Sequence, residues 1–199
     1  MRGSIQEIDS WRKPLTRIAY GDPTSPRLRG EVKVGAVSMP ITIRLQREPI
    51  DAAAERAKLT HGRSDIGAVV AFTGICRGDE AGEPIAALTL EHYPGMAEAE
   101  IARHVEAAER RWSLMGVTVI HRHGRIVPGE DIVLVLTASS HRHEAFAAAE
   151  FLMDYLKTQA PFWKRVERTA GANWVEAKQS DDSAADRWTR PPGRRDAAE

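Results

Sequence analysis

One cysteine, Cys76, stands in 199 residues. A disulfide within the chain is therefore excluded, and so is a cysteine-rich zinc site. Net charge is also lacking: 28 Lys and Arg balance 28 Asp and Glu. A protein devoted to nucleic acid ordinarily carries a basic excess or stripe. The weak excess here, seven basic against four acidic side chains in the first 38 residues, would need steep salt-dependent RNA binding to signify. Long apolar runs are missing as well. The longest, Ile66 to Phe72, falls far short of the roughly 18 residues that span a membrane. Met1 to Ser10 has no apolar stretch of the kind that secretory signals carry. The expectation is a cytoplasmic protein with neither membrane nor nucleic acid as partner.

What is present fits a globular chain. Hydrophobic residues are 42%, and disorder requires few of these together with high net charge. Residues 1–38, with Asp22-Pro23-Thr24-Ser25-Pro26, show little periodicity and read as an irregular extension. The core domain is expected over 39–188 and a polar tail over 189–199. Alternation in Ile41-Thr42-Ile43-Arg44-Leu45 signals a strand. A short helix follows at about 50–59, a buried strand at 67–75, a loop at 78–83 and a strand at 85–93. Ile101, Val105, Ala108 and Trp112 recur at three- and four-residue steps, marking a helix over about 96–114. Strands are expected at 117–124 and 131–138. A second long helix, about 141–158, shows its core face in Ala145, Ala148, Ala149, Leu152 and Leu156, and Pro161 forbids its continuation. A short strand at 173–177 and a last helical turn at 182–188 complete the pattern. This order predicts an α+β fold with a mixed or antiparallel sheet and two long helices.

Several side chains have the chemistry for a site. Ser139-Ser140-His141-Arg142-His143-Glu144 lies where a strand passes into a helix. Ser139 or Ser140 is a candidate cap, and a helix N-terminus beside Arg142 and two histidines is suited to an anion; a plain capped terminus is the simpler alternative. Lys157 and Lys164 bracket Thr158-Gln159-Ala160-Pro161-Phe162-Trp163. Two ammonium groups held close would disfavour each other's protonation and give a base, acid or amine nucleophile; a lysine that merely complements a helix C-terminus is the alternative. Arg77 opens a loop after a strand, and a guanidinium there suits a phosphate or carboxylate. Cys76 reads as a small apolar filler. His121-Arg122-His123 and His141-Arg142-His143 leave a metal site as a rival reading.

Taken in order, these segments resemble one family. Gly67-Ala68-Val69-Val70-Ala71-Phe72-Thr73-Gly74-Ile75-Cys76-Arg77 is similar to its first block, and Leu90-Glu91-His92-Tyr93-Pro94-Gly95-Met96 to its second. His121-Arg122-His123-Gly124 and Ser140-His141-Arg142 with Glu144-Ala145-Phe146 follow. Met153-Asp154-Tyr155-Leu156-Lys157 with Ala160-Pro161-Phe162-Trp163-Lys164, and then Trp174-Val175-Glu176-Ala177-Lys178 with Asp181, complete the series. Over roughly residues 40–188 the chain resembles the large, catalytic subunit of molybdopterin synthase.

The resemblance implies an α/β-hammerhead-like fold and a sulfurtransferase that makes the dithiolene of molybdopterin from cyclic pyranopterin monophosphate. It implies no tightly bound cofactor. Sulfur would come from the C-terminal thiocarboxylate of a small ubiquitin-like subunit ending in Gly-Gly, within a heterotetramer built on a dimer of large subunits. It implies catalytic roles for Lys157 and Lys164, and substrate binding by Arg77, His141, Arg142, Phe72 and Lys178. Two departures stand out: Val166 replaces a common glutamate, with Glu167 adjacent, and Lys178 replaces a common arginine. If those losses matter, the chain would be a degenerate, non-catalytic binding subunit of the same fold.

Overall fold

The computed structural model describes residues 39–80, 82–168, 171–175 and 187–188. The extension 1–38, Lys178, Asp181 and the tail 189–199 lie outside the described residues, as does all but the last part of the expected turn at 182–188. The described elements are β1 (Ile41–Gln46), α1 (Ala52–Thr60), β2 (Ala68–Ile75), β3 (Asp79–Glu80), β4 (Glu83–Pro84), β5 (Ala87–His92), α2 (Met96–Arg111), β6 (Leu114–Arg122), β7 (Gly124–Ile126), β8 (Asp131–Ser139), α3 (Arg142–Thr158), β9 (Phe162–Arg168) and β10 (Gly171–Val175).

Sheet one has the order β1-β6-β8-β2, with β1 parallel to β6 and the other pairs antiparallel. Its central strands are apolar on both faces because both faces are covered. On one side Val117, Val119, Val133 and Val135 meet Ile101, Val105 and Ala108 of α2 and Phe151 and Leu152 of α3. On the other side Ile120, Leu134, Leu136 and Ala138 meet Ile50 and Leu59. Among the described residues Phe151 is the largest fully buried side chain, and burial of such a ring contributes about 1.5–3 kcal/mol. It also packs edge-on against Trp112 and Trp188. Trp188 is tied in turn to α3 by its indole N–H, which donates to Asp154 at 2.7 Å.

Sheet two, β10-β9-β5-β7, is antiparallel throughout and closes over Cys76, Ile85, Leu88, Leu90, Ile126 and Val166. The strand β9 was not among the sequence expectations. Its residues, Phe-Trp-Lys-Arg-Val-Glu-Arg, offer a single aliphatic side chain, yet it pairs with both β5 and β10. The expected loop at 78–83 contains a small separate ribbon, β3 paired with β4. Gly82 lies in its turn at φ +83°, a conformation that L side chains adopt rarely.

The first His-Arg-His triplet serves the fold. Arg122 is buried, pairs with Glu130 at 3.1 Å and donates to the carbonyls of Arg47 and Asp131. His121 is buried, its Nδ1 lies 2.8 Å from the carbonyl of Arg122, and its ring stacks on Phe162 at 4.1 Å. Burial, helped by the charges of His92 and His123, pushes its pKa down from 6.5 to about 4. The unfolded chain therefore binds a proton at His121 that the folded chain refuses between those values. Stability is lost as pH falls through this window, by about 2 kcal/mol between pH 7 and pH 5 from this group. Urea midpoints across that range should fall in the wild type and flatten in His121→Gln; an equal fall in both would contradict the assignment.

Candidate active site

Two groups of candidate residues lie at opposite ends of the same elements. The first forms where β8 passes into α3. Ser139 is buried; its hydroxyl donates to the carbonyl of Ser113 at 3.0 Å and accepts the N–H of His141 at 3.3 Å. The residue at the helix cap position is His141, with extended backbone and no side-chain cap bond, so neither serine caps the helix as expected. His141, Arg142 and His143, at the start of α3 where the first-turn N–H groups lack helical partners, are all exposed. With Gly67, Ser140 and Phe146 these residues line an open hollow of about 730 Å³. Gly67 is required there: a Cβ would stand 2.1 Å from the carbonyl oxygen of Ser140. A helix N-terminus with a guanidinium beside it has the electrostatics for a phosphate or carboxylate.

The second group forms past the other end of β2. Arg77 is exposed, and its guanidinium lies 3.5 Å from Oε1 of Glu80. Lys164, on β9, places its Nζ 3.5 Å from the same oxygen. Arg168, four residues along β9, reaches Oε2 of Glu80 at 3.7 Å and Glu83 at 2.8 Å. Between them Val166 is fully buried in the core of sheet two. Glu167 cannot take the place of a carboxylate at position 166, because alternation turns it to the opposite face of the strand. There it accepts from Arg125 at 3.0 Å and Thr89 at 3.1 Å, and Arg125 holds its carboxyl below the usual range. Cys76 is buried under Lys164, and burial pushes its thiol up despite that neighbouring ammonium, which suits a filler and not a nucleophile.

Lys157 lies in the last turn of α3 and is exposed. The turn after it leads directly into β9 and Lys164. Phe72, on edge strand β2, is 39% exposed, and Trp163, next to Lys164, is 51% exposed. Both are large apolar groups available to a ligand.

Distance decides what these groups can do together. Arg142 and Lys157 stand fifteen residues apart on one helix, which separates them by about 22 Å. Likewise Gly67 donates to Ser139 at the start of β2 while Arg77 lies past its far end; eight residues of strand cover about 26 Å. One chain thus gathers Arg77 with Lys164, and His141 with Arg142, but keeps the two pairs apart. No cluster of three or more His, Cys, Asp or Glu side chains among the described residues has the arrangement of a metal site. Glu80 and Arg168 were missed in the sequence, because Asp79-Glu80 reads as turn chemistry until the ribbon brings it to β9.

Residues 45–159 match the family model described as MoaE protein. A molybdopterin synthase catalytic subunit from Mesorhizobium japonicum is 62% identical over 149 residues, covering 74% of this chain and 92% of the relative. Its counterpart from Escherichia coli is 55% identical over 126 residues, covering 63% and 84%. Among solved structures, the molybdopterin biosynthesis MoaE protein from Burkholderia ambifaria superposes with a TM-score of 0.65 at 44% identity, covering 76% of this chain and 99% of that one. The chain belongs to the MoaE family, the catalytic subunits of molybdopterin synthase.

Proposed function

We propose that the chain transfers sulfur from the C-terminal thiocarboxylate of a small ubiquitin-like subunit to cyclic pyranopterin monophosphate, forming the dithiolene. Membership among catalytic subunits supports this reading, since a subunit so named works with another. The observation that carries it is the convergence of Arg77 and Lys164 on one carboxylate, a place already built for an anion, with exposed Lys157 in the turn before β9. The incoming tail is anionic, and so is the phosphate of the substrate. Lys157 acts on the thiocarboxylate and the oxyanion that develops at its carbonyl, and Lys164 holds charge beside it. Arg77, His141 and Arg142 hold the phosphate and pterin, Phe72 lines the pocket, and Lys178 adds a further positive charge.

Each transfer forms a carbon–sulfur bond on the substrate's side chain in place of a carbon–oxygen bond, whose oxygen leaves as water or stays on the opened phosphate. Water cleaves the tail's own carbon–sulfur bond and leaves the tail as a carboxylate. Two tails are consumed for each dithiolene. No cofactor is needed for this exchange. Because Arg142 and Lys157 of one chain stand so far apart, the pocket is completed by a second copy, whose His141 and Arg142 face the first copy's lysines. This gives a dimer of large subunits with a small subunit on each. The purified protein, mixed with substrate, should form dithiolene with a thiocarboxylated partner and none with the same partner ending in carboxylate. A bound thiocarboxylated partner that yields no product would favour the degenerate binding subunit, with Val166 and Lys178 as the losses.

A further inference from the structure

The carboxylate of Glu80 is unusually placed for one on so small an element. Its side chain is only 12% exposed. It belongs to β3, two residues long, whose sole ladder partner among the described residues is the equally short β4. A two-stranded ribbon of this size has little stability of its own. Two of the cations it meets are anchored far better. Lys164 and Arg168 flank Val166 on β9, a strand paired on both sides and fixed by a fully buried valine. The contacts of Glu80 are numerous but loose: 3.5 Å to Arg77, 3.5 Å to Lys164 and 3.7 Å to Arg168. Close charge-assisted pairs stand at about 2.7–2.9 Å. Arg168 spends its short contact, 2.8 Å, on Glu83 instead.

We propose that Glu80 is an internal competitor for the anion place between Arg77, Lys164 and Arg168, and that it sets the affinity of the site for its ligand's anionic head. That head is a carboxylate, a thiocarboxylate or a phosphate, and it takes the cations over as Glu80 withdraws with its ribbon. The same competition favours release: when a spent tail leaves as a carboxylate, Glu80 returns to the cations it vacated. This rests on the proposed function only in assigning Arg77 and Lys164 to the binding site; the measurement below needs no sulfur transfer.

The test titrates the full-length protein with inorganic phosphate and, separately, with a peptide ending in Gly-Gly carboxylate. Calorimetry serves as readout. Glu80→Gln, which keeps the shape and removes the charge, should bind at least one of these probes about tenfold more tightly than the wild type, given three weak pairs released at once. The arm that responds identifies the head, phosphate or tail. Glu83→Gln removes the same charge from the same ribbon but leaves Arg77 and Lys164 to Glu80, so its gain should stay under about threefold. Adding Lys164→Ala to Glu80→Gln should abolish the gain. Glu80→Asp, which keeps the charge on a shorter stem, provides a second variant and should fall between wild type and Glu80→Gln. Unchanged or weaker binding in Glu80→Gln with an unchanged melting temperature would overturn the proposal. So would equal gains in Glu80→Gln and Glu83→Gln, or the absence of binding by either probe to every variant. A reconstituted enzyme that makes no dithiolene while Glu80→Gln still binds more tightly would sink the proposed function and leave this inference standing.

Discussion

Chains carrying Lys157→Ala, mixed with chains carrying Arg142→Ala under conditions that allow subunit exchange, should recover about a quarter of wild-type dithiolene formation. Each variant alone should form almost none. The expectation follows from the length of α3. Arg142 opens that helix and Lys157 lies in its last turn, so about 22 Å of helix separates them. A pterin monophosphate cannot bridge that distance, and one chain cannot present both groups to it. If both act on one substrate, they come from two copies. Random pairing makes half the dimers mixed, and each mixed dimer holds one site with both residues intact. The other site carries both substitutions. A pocket confined to one chain would give the opposite result, since mixing would restore nothing above the sum of the two variants.

The largest effect of a single substitution is expected for Lys157→Ala. Its product formation should fall by about 10²- to 10³-fold, the usual cost of removing a group that stabilises developing negative charge. The fold should not register the change. Lys157 is exposed at the helix end, and surface substitutions ordinarily stay within about 0.5 kcal/mol. Partner binding, measured by co-elution or calorimetry, should be retained. Lys157→Arg keeps the charge but loses the compact ammonium and should recover only part of the rate. A lysine whose role is to complement the helix C-terminus behaves otherwise: its removal costs about 0.3–1 kcal/mol of stability and leaves the rate alone. Thermal melts and rates measured on the same samples separate the two.

The parts of this molecule that could be read in the sequence are those written in periodicity. The stripe Ile101, Val105, Ala108 of α2 and the row Ala145, Ala148, Ala149, Leu152 of α3 are buried as their spacing requires. The runs that became β2 and β8 are apolar enough to declare strands, and they pair with each other. The strand β9 was not legible because it is charged on both faces: Lys164 and Arg168 flank its one valine, and Arg165 and Glu167 occupy the other side. Its place was decided by pairing with β5 and β10, a long-range fact that no local window contains. The same holds for the site. Arg77, Lys164, His141 and Arg142 were named from their chemistry and from the resemblance, yet nothing local says which of them meet. Glu80 and Arg168 came to the site only through the crossing of a ribbon with a strand. The serine caps failed for a similar reason: the hydroxyl of Ser139 is engaged by Ser113, 26 residues away.

The most direct test is a single turnover followed by mass spectrometry of both partners. Purified protein, cyclic pyranopterin monophosphate and a thiocarboxylated small subunit labelled with a heavy sulfur isotope are mixed, quenched and weighed. A pterin that has gained two labelled sulfurs, with two small subunits returned as carboxylates for each, is the expected result. Pterin of unchanged mass beside an intact thiocarboxylate, with the small subunit demonstrably bound, would contradict it.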